Sequence, residues 1–288
     1  MEYWVPLAVG SALLLALGNV TMRLELVSNR NLWSALGGMM FWGIVVLFPF
    51  SGAELRASSF KFSAETILPY LIVGLLHFFL ARVVYFKAVQ LGGASVASAS
   101  SAASEPILTA ILSVLLIRKE MTLYVSVGAI IAAASVAMLQ LDDGNKQKLS
   151  YSILLGMMSG AFAGFAAVVL RLISISNMAL PPVTGVLFAY VVSFIPIVAI
   201  VRPSKLKSAI WNRMLFVSGI FLVMAHILRF AALKYGGATE VTVLVLSYPL
   251  FILVIAGLVK QANEPLTMRK ALAALGVVLA NVLVVWGG

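Results

Sequence analysis

Apolar runs fill the sequence almost from end to end, and only short polar joints separate them. A helix needs about 20 mainly apolar residues to cross the hydrocarbon core of a bilayer. Runs that meet this length lie at residues 4–23, 32–50, 66–87, 93–117, 122–141, 151–173, 181–201, 212–234, 238–260 and 267–287. The sequence therefore predicts an all-α polytopic membrane protein with ten transmembrane helices.

The composition excludes a soluble globular domain. Of the 288 residues, 62% are hydrophobic and 10% are charged, whereas soluble domains average about 45–50% apolar and about 25% charged residues. The net charge of +10 is spread over short loops without a basic stripe that includes stacking aromatics, so we expect no nucleic-acid partner. The chain has no cysteine, which excludes disulfides and thiolate metal sites.

The start of the chain, MEYWVPLAVG, lacks the basic segment of a cleaved signal peptide. We therefore expect its first apolar run to be retained as the first span.

The two halves of the chain carry the same pattern on either side of the polar joint at 141–150. The matches are 92–94 (Gly-Gly-Ala) with 236–238, 104–106 (Ser-Glu-Pro) with 247–249 (Ser-Tyr-Pro), Arg23 with Arg171, and Glu120 with Glu264. This internal duplication predicts a first five-span repeat at 1–143 and a second at 144–288. Because five is odd, the second repeat must enter the membrane from the opposite side. We therefore expect two inverted five-helix repeats with a site between them near mid-depth.

The stretch GGASVASASSAASEP at 92–106 looks like a linker, but it aligns with an unambiguous span and is predicted to be a helix. Its small side chains permit close helix packing, and whether they also line a cavity stays open. Glu105 lies near the middle of this span, where an acid usually faces a cavity or a partner. Pro106, and Pro249 at the matching depth, lack a backbone donor and are candidate hinges, with simple packing kinks as the alternative.

Further polar side chains fall within the predicted spans. When the two repeats are aligned on the Gly-Gly-Ala motif, Arg82 matches His226 and Tyr85 matches Arg229. The candidate substrate-binding or coupling residues are Glu105, His77, Arg82, Tyr85, His226, Arg229, Tyr248, Ser104, Ser247 and Asn19. An arginine can hold a carboxylate through its forked donors. A buried glutamate can hold an ammonium group and release it on protonation, and a histidine can relay the proton.

Structural roles for the same residues stay open. Glu105 can form an ion pair with Arg82 or Arg229, and His77 can simply join two helices through a hydrogen bond. Arg229 can also extend toward a membrane face. The sequence implies no metal and no cofactor.

The phrases YFKAVQLGGASVAS, SEPILTAILSVLLIRKEMT and RFAALKYGGATEVTVLVLSYPLFILVIAG, followed by NEPLT, resemble the EamA-type family of the drug/metabolite transporter superfamily. The resemblance covers nearly the whole chain. It implies a secondary transporter in the plasma or inner membrane that moves small metabolites, often amino acids, outward. Glu105 departs from the family's general pattern and is a candidate for cargo selection or proton coupling.

Our leading hypothesis is an exporter of amino acids or similar small metabolites that works by alternating access, with protons or exchange as candidate driving forces. The alternatives are an exporter of drugs or lipophilic cations, a channel, and a membrane-embedded enzyme. We do not expect an enzyme, because the chain lacks HExxH and GxSxG and has no acid pair within one span. The expected partners are a small-molecule substrate and the lipid bilayer, and we expect a monomer.

The orientation of the chain stays open. Basic residues in the loops, mainly those of the second half, place both termini outside by the positive-inside rule. Many members of the resembled family have both termini in the cytoplasm.

Overall fold

The computed structural model describes residues 3–29, 31–57, 63–117, 122–139, 146–176, 179–258 and 267–286. Within these ranges all regular elements are helices, and no described residue lies in a strand.

Among the described residues, the first half contains six α-helices, and π-helical turns continue two of them. In chain order these elements are α1 (Trp4–Asn29), α2 (Leu32–Ala57), α3 (Ala64–Val73), the first π-helical segment (Gly74–Ala81), α4 (Arg82–Gly92), α5 (Ala94–Leu112), the second π-helical segment (Ser113–Ile117) and α6 (Leu123–Leu139).

The second half follows a similar course with two differences: a short extra helix, and a ninth span that is divided in two. Its helices are α7 (Lys146–Ile175), α8 (Pro182–Ile200), α9 (Pro203–Ile210), α10 (Arg213–Tyr235), α11 (Ala238–Val245), α12 (Tyr248–Leu258) and α13 (Met268–Trp286).

In the part of the chain that the structure describes, seven continuous helices are long and apolar enough to cross a membrane. They are Trp4–Ser28, Leu32–Ala57, Ala64–Gly92, Ala94–Ile117, Lys146–Ile175, Pro182–Ile200 and Arg213–Tyr235. The other three predicted spans correspond to α6, to α11 with α12, and to α13, which do not meet that criterion within the described residues. The count of ten spans stays a prediction.

Local chemistry explains several helix ends. Ser63 and Thr66 form a capping box at the start of α3. The Asn212 side chain caps α10 by accepting hydrogen bonds from two backbone N–H groups. Gly93 ends α4 and begins α5 with φ at 90°, a left-handed conformation that favours glycine.

Two connections between the halves involve side-chain caps. Glu54, near the end of α2, accepts hydrogen bonds from the backbone N–H groups of Val183 (3.2 Å) and Thr184 (2.8 Å). Its carboxylate therefore meets the positive end of the α8 dipole and joins the two helices. Near the start of α10, the Asn212 side-chain amide donates to Glu25 Oε2 on α1 at 2.8 Å.

The ninth span is interrupted at Leu246 and Ser247, between α11 and α12. Pro249 lacks the N–H that would bind the Val245 carbonyl, so an uninterrupted helix would lose a backbone bond here. The Leu250 N–H bonds the Ser247 carbonyl rather than that of Leu246, and the Leu246 carbonyl accepts from the Asn281 side chain on α13 at 3.3 Å. In contrast, α5 runs through Pro106 without interruption.

Helices from one half pack mainly against helices from the other. α1 packs against α10, whereas α7 packs against α4 and the first π-helical segment. α5 packs against α7, whereas α11 and α12 pack against α1. α2 also meets α8, and α6 meets α13. When the halves are exchanged, the α1–α10 contact corresponds to that of α7 with α4, and the α5–α7 contact to that of α1 with α11 and α12. The α2–α8 and α6–α13 pairs each consist of two matching helices.

Two arginine side chains repeat the same relationship in atomic detail. Arg23 donates to the Val89 carbonyl at 2.7 Å, and Arg171 donates to the Leu233 carbonyl at 3.3 Å. The two arginines match in the sequence repeat, and each carbonyl lies three residues before a Gly-Gly-Ala motif. The duplication is therefore present in the contacts as well as in the sequence.

Glycines bring α7 unusually close to α5. Gly156, Gly160 and Gly164 lie on one face of α7 at four-residue spacing. A Cβ at Gly164 would lie 2.7 Å from the Glu105 carbonyl oxygen, and one at Gly160 would overlap the Ser101 carbonyl. The absent side chains thus set the position of the part of α5 that carries Glu105.

Candidate functional site

A small buried cavity lies where α1, α4, α5, α7, α10, α11 and α12 converge. Its volume is about 50 Å³, enough for roughly three to five water molecules by the volume one water requires. Its lining residues are Leu15, Asn19, His77, Ala81, Arg82, Tyr85, Ser101, Glu105, Ser159, Ala163, His226, Arg229, Val245, Leu246 and Tyr248. Both halves of the chain supply ionisable groups to this lining.

The first π-helical segment positions part of the lining. His77 lies within it, and Arg82 begins α4 directly after it. A π-helical turn widens the helix and changes the direction in which the following side chains point, and such turns are frequent at functional sites. It places His77 and Arg82 on the same side of the span, toward α10.

Glu105 forms an ion pair with Arg229 across the interface of the two halves. The Arg229 guanidinium donates to Glu105 Oε1, and the two side chains are 5% and 4% exposed. Glu105 stands near the middle of the span Ala94–Ile117. A charge buried at this depth needs a partner, and the pair supplies one to each residue.

Arg82 forms a second polar contact between the halves at the cavity. One of its guanidinium nitrogens hydrogen-bonds the Nε2 atom of His226, which lies in the acceptor position. The His77 ring meets the His226 ring edge-on with centroids 5.3 Å apart, and Phe78 packs on His226 at 4.6 Å. The rings thus hold His226 against Arg82 in a largely apolar wall.

Tyr248 occupies the position in the second half that matches Glu105 in the first. Its hydroxyl donates to the Ser98 carbonyl at 3.3 Å, and its side chain interacts with that of Tyr85. Tyr85 matches Arg229 in the repeat. The contact between Tyr248 and Tyr85 therefore corresponds to the Glu105–Arg229 ion pair, but neither of its residues is charged.

Several buried polar atoms of the lining make no hydrogen bond within the described part of the chain. They are Asn19 Oδ1, both ring nitrogens of His77, and His226 Nδ1. An unsatisfied buried polar atom costs free energy, so a group that supplies its partner binds favourably there. These atoms mark the cavity as a place suited to a polar ligand.

The structure brings eight of the predicted site residues together around the cavity. They are Asn19, His77, Arg82, Tyr85, Glu105, His226, Arg229 and Tyr248.

Two predicted site residues lie elsewhere. The Ser104 hydroxyl donates to the Met157 carbonyl at 2.8 Å, and the Ser247 hydroxyl donates to the Leu244 carbonyl at 2.8 Å. Neither serine is among the lining residues of the cavity, so the structure does not bring them together with the other eight, and their contact with substrate stays a prediction. The matched residues Glu120 and Glu264 fall outside the described residues.

Sequence reasoning missed other members of the site. Ser101, one helical turn before Ser104, lines the cavity, as does Ser159 on α7. Tyr190 is not a lining residue but lies next to one: it is fully buried on α8, with its ring centroid 6.2 Å from that of His226. The GxxxGxxxG pattern in α7 was the one signal that could have located the α5 contact in advance.

No group of three or more His, Asp or Glu side chains that could hold a metal ion occurs among the described residues. What the lining offers is two arginines, one carboxylate, two imidazoles, hydroxyls and an amide. Such a set binds and orients a polar ligand and can move a proton between neighbouring groups.

Comparisons with known proteins find one matching family and several similar structures. A family model described as the EamA-like transporter family matches residues 2–141 and 150–286. No curated protein is significantly similar in sequence. Among the solved structures 28 chains are similar, and one of these, a crystal structure, is 14% identical with a TM-score of 0.65, covering 96% of this chain and 94% of its own. At that level of identity the likeness concerns the fold alone.

Proposed function

The chain belongs to the EamA-like transporter family, and from this premise we propose that it is a secondary transporter that exports small metabolites, amino acids among them, by alternating access. The family resemblance expected from the sequence is confirmed. Membership makes the chain a multi-pass membrane transporter of the drug/metabolite superfamily. Cargo, direction and mechanism belong to the proposal.

The cavity carries the proposal. It is buried, it lies beside the middle of the span that holds Glu105, and both halves of the chain supply its ionisable groups. Transporters built from repeats hold their substrate at such an interface. Polar and charged groups are costly inside a bilayer and are found there chiefly where they serve transport.

The matched contacts of the two halves support the inverted repeat. The contact between α1 and α10 corresponds to the contact between α7 and α4. In the same way, Arg23 donates to the Val89 carbonyl and Arg171 to the Leu233 carbonyl. Arg82 touches His226, its own counterpart in the repeat, as an axis that exchanges the halves and passes between the two residues would require. Rocking about such an axis would open the cavity first to one membrane face and then to the other.

A cavity of about 50 Å³ is far smaller than the roughly 300–1,000 Å³ of drug-sized sites. Binding of a substrate with more than a few non-hydrogen atoms therefore requires the walls to separate. The interruption at Leu246 and Ser247, next to Pro249, is one place where the wall can move, because the regular helical hydrogen bonding is broken there.

Glu105 supplies a route for coupling to protons. It is the only carboxylate among the lining residues, and Arg229 holds it. Protonation of Glu105 would break the ion pair and free Arg229, so proton binding and substrate binding at this site would influence each other.

The alternative functions fit less well. An exporter of lipophilic cations would rely on Glu105, but Arg229 already occupies that carboxylate. A channel would not need charged residues of the two halves to contact each other across the cavity, as Glu105 and Arg229 do. Members of the family are transporters, which favours transport over an enzymatic reaction.

Counterflow in proteoliposomes tests the proposal. Vesicles loaded with a high concentration of an unlabelled metabolite are diluted into a trace of the same labelled compound, over a panel of amino acids and organic acids. A carrier accumulates the label transiently and with saturation. A conductance that grows linearly with concentration, or label uptake equal to that of protein-free vesicles for every compound, would contradict a carrier.

A further inference from the structure

Resting on the proposed function, we propose that the cavity selects small organic anions, carboxylates with a neighbouring hydroxyl, over zwitterionic and cationic analogues of the same size. The inference concerns the net charge of the substrate, which family membership does not specify.

The charge of the lining sets the preference. Two arginines and one glutamate line the cavity, so its formal charge is +1 with both histidines counted as neutral. A protonated histidine would make it more positive. Since an unbalanced charge inside a membrane is costly, a ligand with one negative charge brings the site to neutrality.

Glu105 is not available to an incoming ammonium group. Arg229 donates directly to it, and both side chains are buried. An ammonium would have to displace a guanidinium and leave Arg229 buried without a partner, which is among the more costly changes in a protein interior. A cation or a zwitterion therefore gains little from the only carboxylate of the lining.

Arg82 is the arginine of the lining whose hydrogen bond goes to a neutral group, whereas Arg229 is paired with a carboxylate. Arg82 is 7% exposed, and its hydrogen bond goes to the neutral acceptor His226 Nε2. The residue lines the cavity, so its guanidinium is within reach of a ligand bound there. A carboxylate placed there would receive two parallel N–H bonds from the fork.

The neutral polar atoms call for a hydroxyl beside that carboxylate. Asn19 Oδ1 is an acceptor without a hydrogen bond, and His77 has two ring nitrogens without one, again within the described residues. A neutral imidazole has one donor and one acceptor, so a hydroxyl can satisfy either nitrogen as well as the Asn19 oxygen. An ammonium group has donors only and adds the positive charge that the lining already has in excess.

The size of the cavity restricts the ligand to a few heavy atoms before the walls separate. A volume of about 50 Å³ suits an acid with two or three carbon atoms, since one water needs about 10–15 Å³ of the same measure. Glycolate, glycine and glycinamide are matched probes, because they have equal numbers of non-hydrogen atoms and differ in charge as anion, zwitterion and cation.

Thermal unfolding of the purified protein, with each probe titrated at matched ionic strength, tests the inference. A ligand that binds the folded state raises the midpoint. We expect glycolate to reach half its effect at a concentration about tenfold lower than glycine, which corresponds to about 1.4 kcal/mol, and glycinamide to have no effect. A larger response to glycine or glycinamide, or no response to any of the three probes, would overturn the assignment.

Variants separate binding at Arg82 from a general salt effect. Arg82→Gln should abolish the glycolate response, and Arg82→Lys should retain part of it because a point charge remains. Lys234→Gln removes an exposed cation from α10 and should leave the response unchanged. A glycolate response that persists in full in Arg82→Gln would contradict the site.

The counterflow panel distinguishes the two proposals. Saturable counterflow of a cation, together with no glycolate binding, would leave the transporter intact and overturn only the preference for anions. Absence of counterflow for every compound, together with glycolate binding that depends on Arg82, would contradict transport and leave the anion site standing.

Discussion

Arg229 on α10 donates to Glu105 on α5, and this buried ion pair joins the two halves of the chain at the wall of the cavity. The matched positions, Tyr85 and Tyr248, also contact each other but carry no charge. Duplication thus produced two equivalent contacts, of which one is ionic. The cavity therefore has an ion pair, Glu105 with Arg229, at one part of its wall and two uncharged tyrosines, Tyr85 and Tyr248, at the matching part.

The ion pair gives the first prediction. Glu105→Gln should lower stability by about 3–5 kcal/mol, because Arg229 stays buried without its partner. Arg229→Gln should have a similar cost, and the double variant should lose clearly less than the sum of the two. Thermal unfolding of the purified variants measures this, with the exposed Glu65→Gln as the control.

Transport by the same variant provides a second test of Glu105. If Glu105 takes up the coupling proton, Glu105→Gln should show no response of uptake to an imposed pH gradient while still reaching the membrane. Uptake that follows the gradient as in the wild type would remove Glu105 from coupling.

A third prediction concerns the glycines of α7. Gly160→Ala should lower the unfolding midpoint, because its Cβ would overlap the Ser101 carbonyl and a backbone group cannot move aside cheaply. Overpacking of this kind costs about 1–3 kcal/mol. Gly52→Ala is the matched control, since nothing lies within 4 Å of a Cβ built there. Equal midpoints for the two variants would show that α5 and α7 are not held in this close contact.

His226 gives a fourth prediction through its position beside Arg82. His226→Leu removes the acceptor for the guanidinium, whereas His226→Gln keeps an acceptor at similar reach. We expect the KM for a carboxylate substrate to rise more in His226→Leu than in His226→Gln, because Arg82 is then no longer held in place. A neutral substrate should be affected equally by both variants. Equal changes for both substrate types would show that His226 only fills space.

The two prolines give the fifth prediction. Pro249 follows the interruption at Leu246 and Ser247, whereas α5 continues through Pro106. Pro249→Ala allows the backbone to close into one helix and should lower the turnover rate more than Pro106→Ala does, with little change in substrate affinity. Rates from counterflow, compared with affinities from unfolding midpoints, separate the two effects. An unchanged rate in both variants would argue against a hinge.

Much of the site could be predicted because the repeat aligns residues that meet. The sequence placed Arg82 opposite His226, and these two side chains touch. It also proposed Arg229 as one possible partner of Glu105, and this pair is present. Alignment of two copies carries such information because counterparts near the exchange axis are necessarily neighbours.

The sequence does not predict which face of a helix points toward the cavity where polar and apolar residues do not alternate clearly. Residues 94–104 are almost all alanine or serine, so nothing indicates which serines face the cavity. Ser101 lines it, whereas Ser104 faces α7 because the glycines of that helix let it approach. Such a choice depends on the neighbouring helix and is visible only after packing.

Element boundaries were also missed where apolar residues run on. The stretch VLVLSYPLF reads as one span, yet the helix stops at Leu246 and Ser247. The helix Pro203–Ile210 lies between two predicted spans, and a search for spans overlooks it because its eight residues are too few to cross a membrane. Both features depend on hydrogen bonds and packing that hydropathy does not report.

Access of solvent to the cavity from both membrane faces tests the central claim most directly. The chain has no cysteine, so Ser101→Cys introduces a single thiol at the cavity wall, and Ser193→Cys, buried between α2 and α8, is the control. A membrane-impermeant maleimide is applied to inside-out and right-side-out vesicles, with and without substrate. Alternating access predicts labelling of Ser101→Cys from both sides, slowed by substrate, and none of Ser193→Cys; labelling from neither side, or from one side only under all conditions, would contradict it.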